Sequence, residues 1–208
     1  MLEKDFLNIE KYISFDFGDN YLYDSNQTIN DYGNSMTFSI ELVKQYQTIC
    51  SEIDAILKSI CKELNHNEKQ LNIRNYGQIL LSKVLWKNLP NQKVRLNNIE
   101  LQPFKNWRLK PNYNSPDWWI AYNNVKHNRL LNYKNANLKN VTNSLAGLYT
   151  LELYFAKFIA DKEIDKDSPD VPNDISNLFT LIDFKTRATV VGHDSYLILD
   201  SEIDETCK

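Results

Sequence analysis

The feature that most constrains the fold is a long run of apolar residues at helical spacing between Met36 and Leu64. These residues recur three or four positions apart, and no Gly or Pro interrupts the run. They are Phe38, Leu42, Val43, Tyr46, Ile49, Cys50, Ile53, Ile56, Leu57, Ile60, Cys61 and Leu64. The pattern predicts one long amphipathic helix, with Ser35 as a candidate cap.

Three further segments repeat apolar residues at helical spacing, and a residue suited to capping a helix precedes each of them. The segments are residues 73–89, 118–133 and 138–159, and the candidate caps are Asn72, Asp117, and Asn135 or Asn137. Pro90 should end the first segment. The last segment has so broad an apolar sector that other elements should contact it on several sides. The chain is therefore predicted to be mainly α, with a bundle of four principal helices.

Short β elements are predicted around this bundle, where apolar and polar residues alternate beside turn-forming residues. The predicted strands are Tyr12–Phe17 with Tyr21–Tyr23, Lys93–Arg95 with Ile99–Leu101, and Thr189–Val191 with Tyr196–Leu199. The fold class is thus mainly α with small peripheral β hairpins. Its predicted parts are an N-terminal irregular or β appendage (residues 1–33), a helical bundle (34–160), and an acidic linker with a small C-terminal β segment (161–208).

Charge and composition exclude several classes of protein. The chain of 208 residues has a formal charge of −3, which argues against a protein that coats nucleic acid over its whole surface but is compatible with a local basic patch. No apolar run is long enough to span a bilayer, and residues 1–12 are too charged for a signal peptide. A cytoplasmic protein without membrane contact is expected.

The cysteines and histidines do not show the spacing of metal ligands. They are Cys50, Cys61, Cys207, His66, His127 and His193. We therefore predict no metal and no cofactor, and a metallohydrolase is the least supported class of enzyme.

Aromatic residues crowd the predicted helix over residues 118–133. At about 100° per residue, one side of this helix forms an apolar stripe that should face the core. The stripe consists of Trp118, Tyr122, Val125 and Tyr133, with Trp119 and Leu130 on its shoulder.

Four polar residues interrupt or border this stripe. Arg129 would lie in its middle and Lys126 beside it, while Asn123 and His127 would stack one turn apart on its edge. Because an unpaired buried charge is strongly unfavourable, Arg129 needs either an acid from another helix or a cleft open to solvent.

Two acids of the first long helix are candidate supports for this cluster. Glu52 and Asp54 should lie on opposite flanks of that helix, so either could face Arg129. The alternative is an ordinary solvated flank, with an ion pair between Asp54 and Lys58 four residues later.

The polar cluster itself has two interpretations. In the structural one, Arg129 pairs with a carboxylate, Lys126 extends toward solvent, and His127 forms a hydrogen bond at the edge of the core. In the functional one, His127 exchanges protons near neutral pH, and the cations hold a phosphate group.

A second basic region follows the predicted middle hairpin, with Lys105, Arg108 and Lys110 set among the aromatic residues Phe104, Trp107 and Tyr113. Alternating basic and aromatic residues suit single-stranded nucleic acid, but cation–π packing within a loop is the commoner explanation and is favoured here.

The sequence SEIDAILKSIC in the first long helix, a Pro-Phe loop, and PDWWIAYNNVKHNRLLNYKNANLKNV together resemble a group of bacterial helical proteins over about residues 36–158. More distantly, the order of the helices and one short polar motif resemble the HEPN superfamily. HEPN domains are bundles of four or five helices that are often dimeric. Many are metal-independent ribonucleases of toxin–antitoxin and phage-defence systems, and others are not catalytic.

This resemblance implies roles for the polar cluster in RNA cleavage. His127 would be the general acid or base, Arg129 and Lys126 would stabilise charge on the phosphate, and Asn123 would orient the substrate or the imidazole. Glu52 or Asp54 would hold Arg129 or His127 in place. The order departs from the HEPN motif, in which Arg precedes His by several residues, since here Arg129 follows His127.

The segment from Arg187 to His193 has the HEPN order literally, but its β-branched residues and Gly are poor helix formers, so we interpret it as a chance match.

Two functional hypotheses follow. The first is a HEPN-like protein that binds RNA or cleaves it without a metal, that self-associates, and that has RNA or an antitoxin-like protein as its partner. The alternative is a non-enzymatic interaction or scaffold domain with a structural polar cluster. The first requires His127 and Arg129 to be exposed in a shared concavity with basic surroundings, and the second requires them to be enclosed and paired.

Overall fold

The computed structural model describes residues 1–17, 33–64, 71–162 and 175–184. Within these ranges the chain is mainly helical, as predicted, and carries one small antiparallel sheet. The helices are α1 (Leu2–Ile9), α2 (Ile40–Glu63), α3 (Ile73–Leu80), α4 (Val84–Lys87), α5 (Asp117–His127), α6 (Arg129–Asn132) and α7 (Leu138–Lys162). The strands are β1 (Lys93–Leu96), β2 (Ile99–Leu101) and β3 (Phe179–Ile182). No helix of the described ranges is both long and apolar enough to cross a membrane.

The two long helices α2 and α7 pack against each other at the centre, and α5 packs against both of them. The helical spacing read from the sequence places the apolar residues of α2 in the core, where Tyr46, Ile49, Ile53 and Leu57 are fully buried. The broad apolar sector of α7 is buried along most of its length, as its composition predicts.

The helix α2 begins later than the sequence suggests. Its cap is Ser39, whose hydroxyl accepts a hydrogen bond from the N–H of Leu42 at 3.1 Å, and Ser35 lies upstream of the helix. The preceding segment lies beside the start of α7, where the N–H of Leu138 donates to the carbonyl of Thr37 at 2.8 Å. Asn137 caps α7 by accepting from the N–H of Asn140 at 3.0 Å, in agreement with one of the two predicted caps.

The predicted helix over residues 73–89 is divided in two. Asn72 caps α3 through a reciprocal pair of side-chain hydrogen bonds with Asn75, as its position predicts. The helix then stops at Leu80, because the hydroxyl of Ser82 bonds to the carbonyl of Ile79 and Lys83 adopts an extended conformation. After α4 the chain forms a 3-10 turn over residues 89–91, which contains Pro90.

The middle hairpin is confirmed: β1 and β2 pair around a turn in which Asn97 has a φ of 51°. The structure adds a third strand, because β3 pairs antiparallel with the other side of β1 and gives the order β2-β1-β3. The strands predicted at residues 189–191 and 196–199 lie outside the described residues. The strand β3 belongs to the same sheet as the middle hairpin. Its pairing with β1 joins residues far apart in the chain, which local sequence patterns do not reveal.

The N-terminal residues differ from the prediction. Residues 2–9 form α1, which places Phe6 and Ile9 in the main hydrophobic core. Residues 12–17 form no strand, so the first strand of the predicted hairpin is wrong. The alternation there reflects the burial of Phe17 in the core and not sheet pairing. Its predicted partner at residues 21–23 lies outside the described residues.

Substitution of Gly77 by Ala tests the packing that holds the loop after the sheet. A Cβ at this position would lie 2.8 Å from Nε1 of the buried Trp107, so the indole must shift. Overpacking should outweigh the helix propensity gained with Ala, and the free energy of unfolding should fall by about 1 kcal/mol or more. Urea denaturation measures this change. The control Gln78→Ala, at an exposed position of the same helix, should lose little, and an equal loss in both variants would contradict this packing.

Candidate functional site

The polar cluster lies at the end of α5, where the predicted single helix over residues 118–133 is interrupted. Asn128 has φ −147° and ψ 79°, which ends α5 at His127. Its side-chain oxygen then accepts a hydrogen bond from the N–H of Leu131 at 3.4 Å and starts the short helix α6. The prediction of one continuous helix is wrong here because an Asn side chain competes successfully for the backbone N–H groups.

This interruption changes the position of Arg129. It is the first residue of α6 and is exposed, instead of lying in the middle of the buried α5 stripe. The upstream part of the stripe is as predicted, since Trp118, Tyr122 and Val125 are buried. Leu130, expected on the shoulder of the stripe, is 92% exposed.

The other members of the cluster lie at the last turns of α5. Lys126 and His127 are exposed, and Asn123 is half-buried. The ammonium group of Lys126 lies 5.8 Å from the centre of the Tyr122 ring, a cation–π contact at the exposed end of α5. We refer to Lys126, His127 and Arg129 as the α5–α6 turn.

No carboxylate of the described residues forms an ion pair with the α5–α6 turn. The two supporting acids proposed from the sequence have other surroundings. Asp54 pairs with Lys58 and also accepts a hydrogen bond from the hydroxyl of Tyr76 at 2.8 Å. The ion pair between Asp54 and Lys58 is thus confirmed, and Asp54 joins α2 to α3.

Asp54 still influences the electrostatics near α5. Burial raises the pKa of Tyr122, and the nearby Cys50 and Asp54 raise it further. Burial also raises the pKa of Tyr76, and the hydrogen bond to Asp54 adds to this effect. Both phenols are therefore neutral hydrogen-bonding groups at physiological pH, and neither is a candidate base.

Glu52 belongs to a different part of the molecule. It lines a groove of about 390 Å³ between the start of α1, one face of α2, and α7. Apolar side chains including Leu148, Tyr149 and Phe179 form much of its wall, and Glu152 of α7 lies opposite Glu52. Glu52 and Asp54 thus lie on opposite flanks of α2, as their spacing predicts, and the structure does not bring Glu52 to the α5–α6 turn.

The groove also contains the carboxyl group of Glu152, which the sequence did not single out. Although Glu152 as a whole is exposed, partial burial of its carboxyl group against the groove wall raises its pKa, the negative charge of Glu52 raises it further, and the N-terminal ammonium of Met1 opposes this effect. The sequence signal is weak, since Glu152 is a single acid within the broad apolar sector of α7. Glu3 at the rim is already occupied, because it accepts hydrogen bonds from the hydroxyl of Ser176 at 2.8 Å and the N–H of Asn177 at 2.7 Å.

The charge of the chain is unevenly distributed around α5. Residues 101–151 contain seven Lys or Arg and one acid, Asp117, whereas the whole chain has a net charge of −3. Asp117 lies at the far end of α5 from the α5–α6 turn and accepts a hydrogen bond from Asn106. Few acidic residues lie close to the turn along the chain, so its positive charge is not neutralised by its sequence neighbours.

In the second basic region, around Lys105 and Arg108, the aromatic residues pack into the core and hold the loop in place. Phe104 and Trp107 are buried, and Phe104 packs edge-to-face against Trp118 with ring centroids 5.9 Å apart. The cation–π contact there comes from another element, since Arg74 of α3 lies 5.4 Å from the centre of the Tyr113 ring. These contacts agree with the interpretation of loop packing.

Within residues 1–17, 33–64, 71–162 and 175–184, no group of three or more His, Cys, Asp or Glu residues could hold a metal ion. Cys50 and Cys61 are buried thiols of α2, and burial raises the pKa of the Cys50 thiol, which opposes thiolate formation.

Comparison with protein-family models, with curated proteins and with solved structures finds no match for this chain.

The groove predicts a pH dependence of stability that Glu152→Gln should remove. Because the folded-state pKa of Glu152 is raised from its ordinary value of 4.5, the protonated form favours folding. This contribution is present below pH 4.5 and is lost as the pH rises through the folded-state pKa. The variant should therefore gain stability relative to the wild type between pH 4 and pH 7.

Urea denaturation over this pH range measures the difference. The control is Glu41→Gln, which removes an exposed acid of the same helix as Glu52 that pairs with Lys44 at 2.7 Å. The stability of the control relative to the wild type should not rise between pH 4 and pH 7. A Glu152→Gln variant whose stability runs parallel to that of the wild type from pH 4 to pH 7 would show that Glu152 is not perturbed.

Proposed function

We propose that the protein binds RNA through the α5–α6 turn and cleaves it without a metal ion, with His127 as the general acid or base. The observation that carries this proposal is the exposure of three adjacent cationic or titratable side chains, Lys126, His127 and Arg129, without a carboxylate partner among the described residues. Unneutralised cations on a surface favour a polyanionic partner.

Each residue of the turn has a chemical role in this proposal. Arg129 offers a planar fork of N–H donors that matches the oxygens of a phosphate, and Lys126 adds a second positive charge. His127 is exposed to solvent, and an imidazole is the type of side chain best suited to exchange protons near neutral pH, so it can serve as the general acid or base. Asn123, one turn earlier on α5, can orient the substrate or the imidazole.

The cleavage step needs these groups, the RNA and one water molecule, and the proton that His127 takes up returns to the hydroxide which that water leaves behind. His127 takes the proton of the ribose 2′-hydroxyl while the 2′-oxygen forms a bond to phosphorus. The bond from phosphorus to the 5′-oxygen breaks, and that oxygen takes a proton from water. Arg129 and Lys126 stabilise the charge that accumulates on the non-bridging oxygens. The products are a 2′,3′-cyclic phosphate and a 5′-hydroxyl.

A relation to the HEPN bundles is part of the same proposal. The four segments predicted as principal helices correspond to α2, to α3 with α4, to α5 with α6, and to α7. A HEPN-like protein would use an exposed polar motif and no metal, in keeping with the α5–α6 turn. Self-association and an antitoxin-like partner belong to this proposal as expectations from the resemblance.

A second candidate function is a non-enzymatic interaction domain, and a separate observation favours it. Leu130 and Leu131 are 92% and 77% exposed in α6, immediately after Arg129. RNA phosphates do not need two exposed leucines, whereas protein interfaces commonly use such residues. In such an interaction domain the polar residues of the α5–α6 turn are exposed, and are not enclosed and paired as a purely structural cluster would be.

RNA binding is tested with Lys126→Ala and Arg129→Ala, alone and combined. We expect the double variant to bind single-stranded RNA about tenfold more weakly at 50 mM salt, and the slope of log K against log salt to fall by about 1.4, since each lost phosphate contact removes about 0.7. Fluorescence anisotropy with a labelled oligonucleotide measures both quantities. The matched control is Lys4→Ala, which removes an exposed cation from α1. Equal losses in the control and the double variant would contradict a site at this turn.

Cleavage is tested with His127→Ala on total RNA in the presence of EDTA. Because His127 is exposed, the variant should keep the wild-type circular dichroism spectrum and bind RNA within about threefold of the wild type, yet lose cleavage. Products of the wild type should end in a 2′,3′-cyclic phosphate. A folded His127→Ala variant that cleaves at the wild-type rate would remove His127 from the mechanism and leave RNA binding as a separate question.

A further inference from the structure

An exposed apolar surface lies beside the α5–α6 turn. We call it the α6 patch and define it by Leu130, Leu131, Tyr133, Met36 and Phe38. Leu130 and Leu131 are almost fully exposed, Met36 and Phe38 are about half exposed, and Tyr133 is half-buried. Removing such side chains from water is favourable, so a patch of this kind favours a partner with apolar side chains of its own.

The parts of the α6 patch come from two distant segments that the fold places side by side. The rings of Phe38 and Tyr133 meet edge-to-face with centroids 5.5 Å apart. The backbone of Phe38 forms an isolated antiparallel bridge with Asn137, and the side-chain amide of Asn137 lies 3.9 Å from the sulfur of Met36. Leu130 and Leu131 lie in the helical turn that leads directly into Tyr133.

Basic side chains border this patch. Lys126, His127 and Arg129 precede the exposed leucines, Lys134 follows them, and all four are exposed. No Asp or Glu occurs in the sequence between Trp118 and Leu151. A second copy that presented the same patch across a two-fold axis would bring like charges together. The chemistry therefore calls for an acidic segment that also carries apolar residues.

The C-terminal part of this chain has that composition. Residues 194–205 read DSYLILDSEIDE, with five acids and no Lys or Arg. Four consecutive apolar or aromatic residues, 196–199, are followed by alternating acids and Ile203. Residues 196–199 could pack against the exposed leucines of the α6 patch. The acids could form ion pairs with the positively charged side chains that border the patch.

The chain is long enough for this segment to reach the patch of its own molecule. The last described residue, Phe184, packs against Tyr154 of α7 with ring centroids 5.1 Å apart. At about 1.5 Å per residue, Tyr154 lies about 24 Å along α7 from Leu138, which neighbours the patch. The ten steps from Phe184 to Asp194 can extend to about 33 Å.

We propose that residues 194–205 dock on the α6 patch of the same chain, with the apolar run against Leu130, Leu131 and Phe38 and the acids beside Lys126 and Arg129. Its regulatory consequence rests on the proposed RNA-binding function: the docked acids occupy the positions of RNA phosphates, so the segment competes with RNA for the α5–α6 turn.

Docking is tested in the full-length chain with the photo-reactive amino acid benzoylphenylalanine in place of Leu131, followed by mass spectrometry of the cross-linked peptides. A second position, Leu130, gives an independent probe. The control places the same group at Val84, an apolar residue that is 55% exposed in α4. We expect cross-links from both leucine positions to residues 194–205 within one molecule, and none from Val84 to that segment.

The variant Asp200→Asn, Glu202→Gln, Asp204→Asn, Glu205→Gln tests the contribution of charge. It leaves the apolar run intact, and the yield of the cross-link should fall several-fold at 50 mM salt. Cross-links that join two chains, that reach other segments only, or that do not form would overturn the proposal. A yield unaffected by removal of the four charges would overturn the charge pairing.

RNA binding by the same full-length variant separates this inference from the proposed function. If both hold, the neutralised variant should bind single-stranded RNA several-fold more tightly than the wild type at low salt. If the cross-link forms but neither protein binds RNA, the RNA proposal is wrong and the docking stands. If RNA binds with equal affinity to both proteins and no cross-link forms, the docking is wrong and the RNA proposal stands.

Discussion

The packing of α2 against α7 is the interaction on which the rest of the structure depends. These two long helices contribute many of the buried apolar residues, and α1, α3 and α5 pack against α2 while α4, α5 and β3 pack against α7. The hydroxyl of Tyr46 on α2 donates a hydrogen bond to the carbonyl of Trp118, which fixes α5 against the pair. The indole of Trp118 in turn donates to the carbonyl of Pro103 at 2.6 Å, and so holds the basic loop that precedes α5. Buried tyrosine and tryptophan here supply both apolar area and a directional polar contact.

A single asparagine decides the character of the candidate site. Asn128 ends α5 and begins α6, and this break turns Arg129 and the two leucines after it toward solvent. An uninterrupted helix would have directed Arg129 toward the core, where an acid would have had to compensate its charge. The two acids considered for that purpose are used elsewhere, since Asp54 joins α2 to α3 and Glu52 lines a separate groove with Glu152. The cations of the turn are therefore available to an external or intramolecular anion.

Positive charge and exposed apolar side chains lie next to each other at this end of the molecule. RNA binding needs only the charge, and an apolar protein interface needs only the exposed hydrocarbon. The α5–α6 turn supplies positive charge, and the α6 patch beside it supplies exposed hydrocarbon. An acidic segment with apolar residues satisfies both features, whereas an RNA strand uses the charge and leaves Leu130 and Leu131 exposed. A segment that occupies the patch in the absence of RNA would remove that exposure, which is a physical reason for the two features to lie together.

The sequence by itself determined the mainly helical class, the presence of the two long helices α2 and α7, the Asn72 cap and the hairpin of β1 and β2, because these depend on local periodicity and turn chemistry. The tertiary structure alone decided the pairing of β3 with β1, the groove that joins Glu52 to Glu152, and the exposure of Arg129. The first two need contacts between residues far apart in the chain. The third needs the outcome of a local competition at Asn128, which helical periodicity does not contain because an asparagine side chain is compatible both with continuing a helix and with capping the next one.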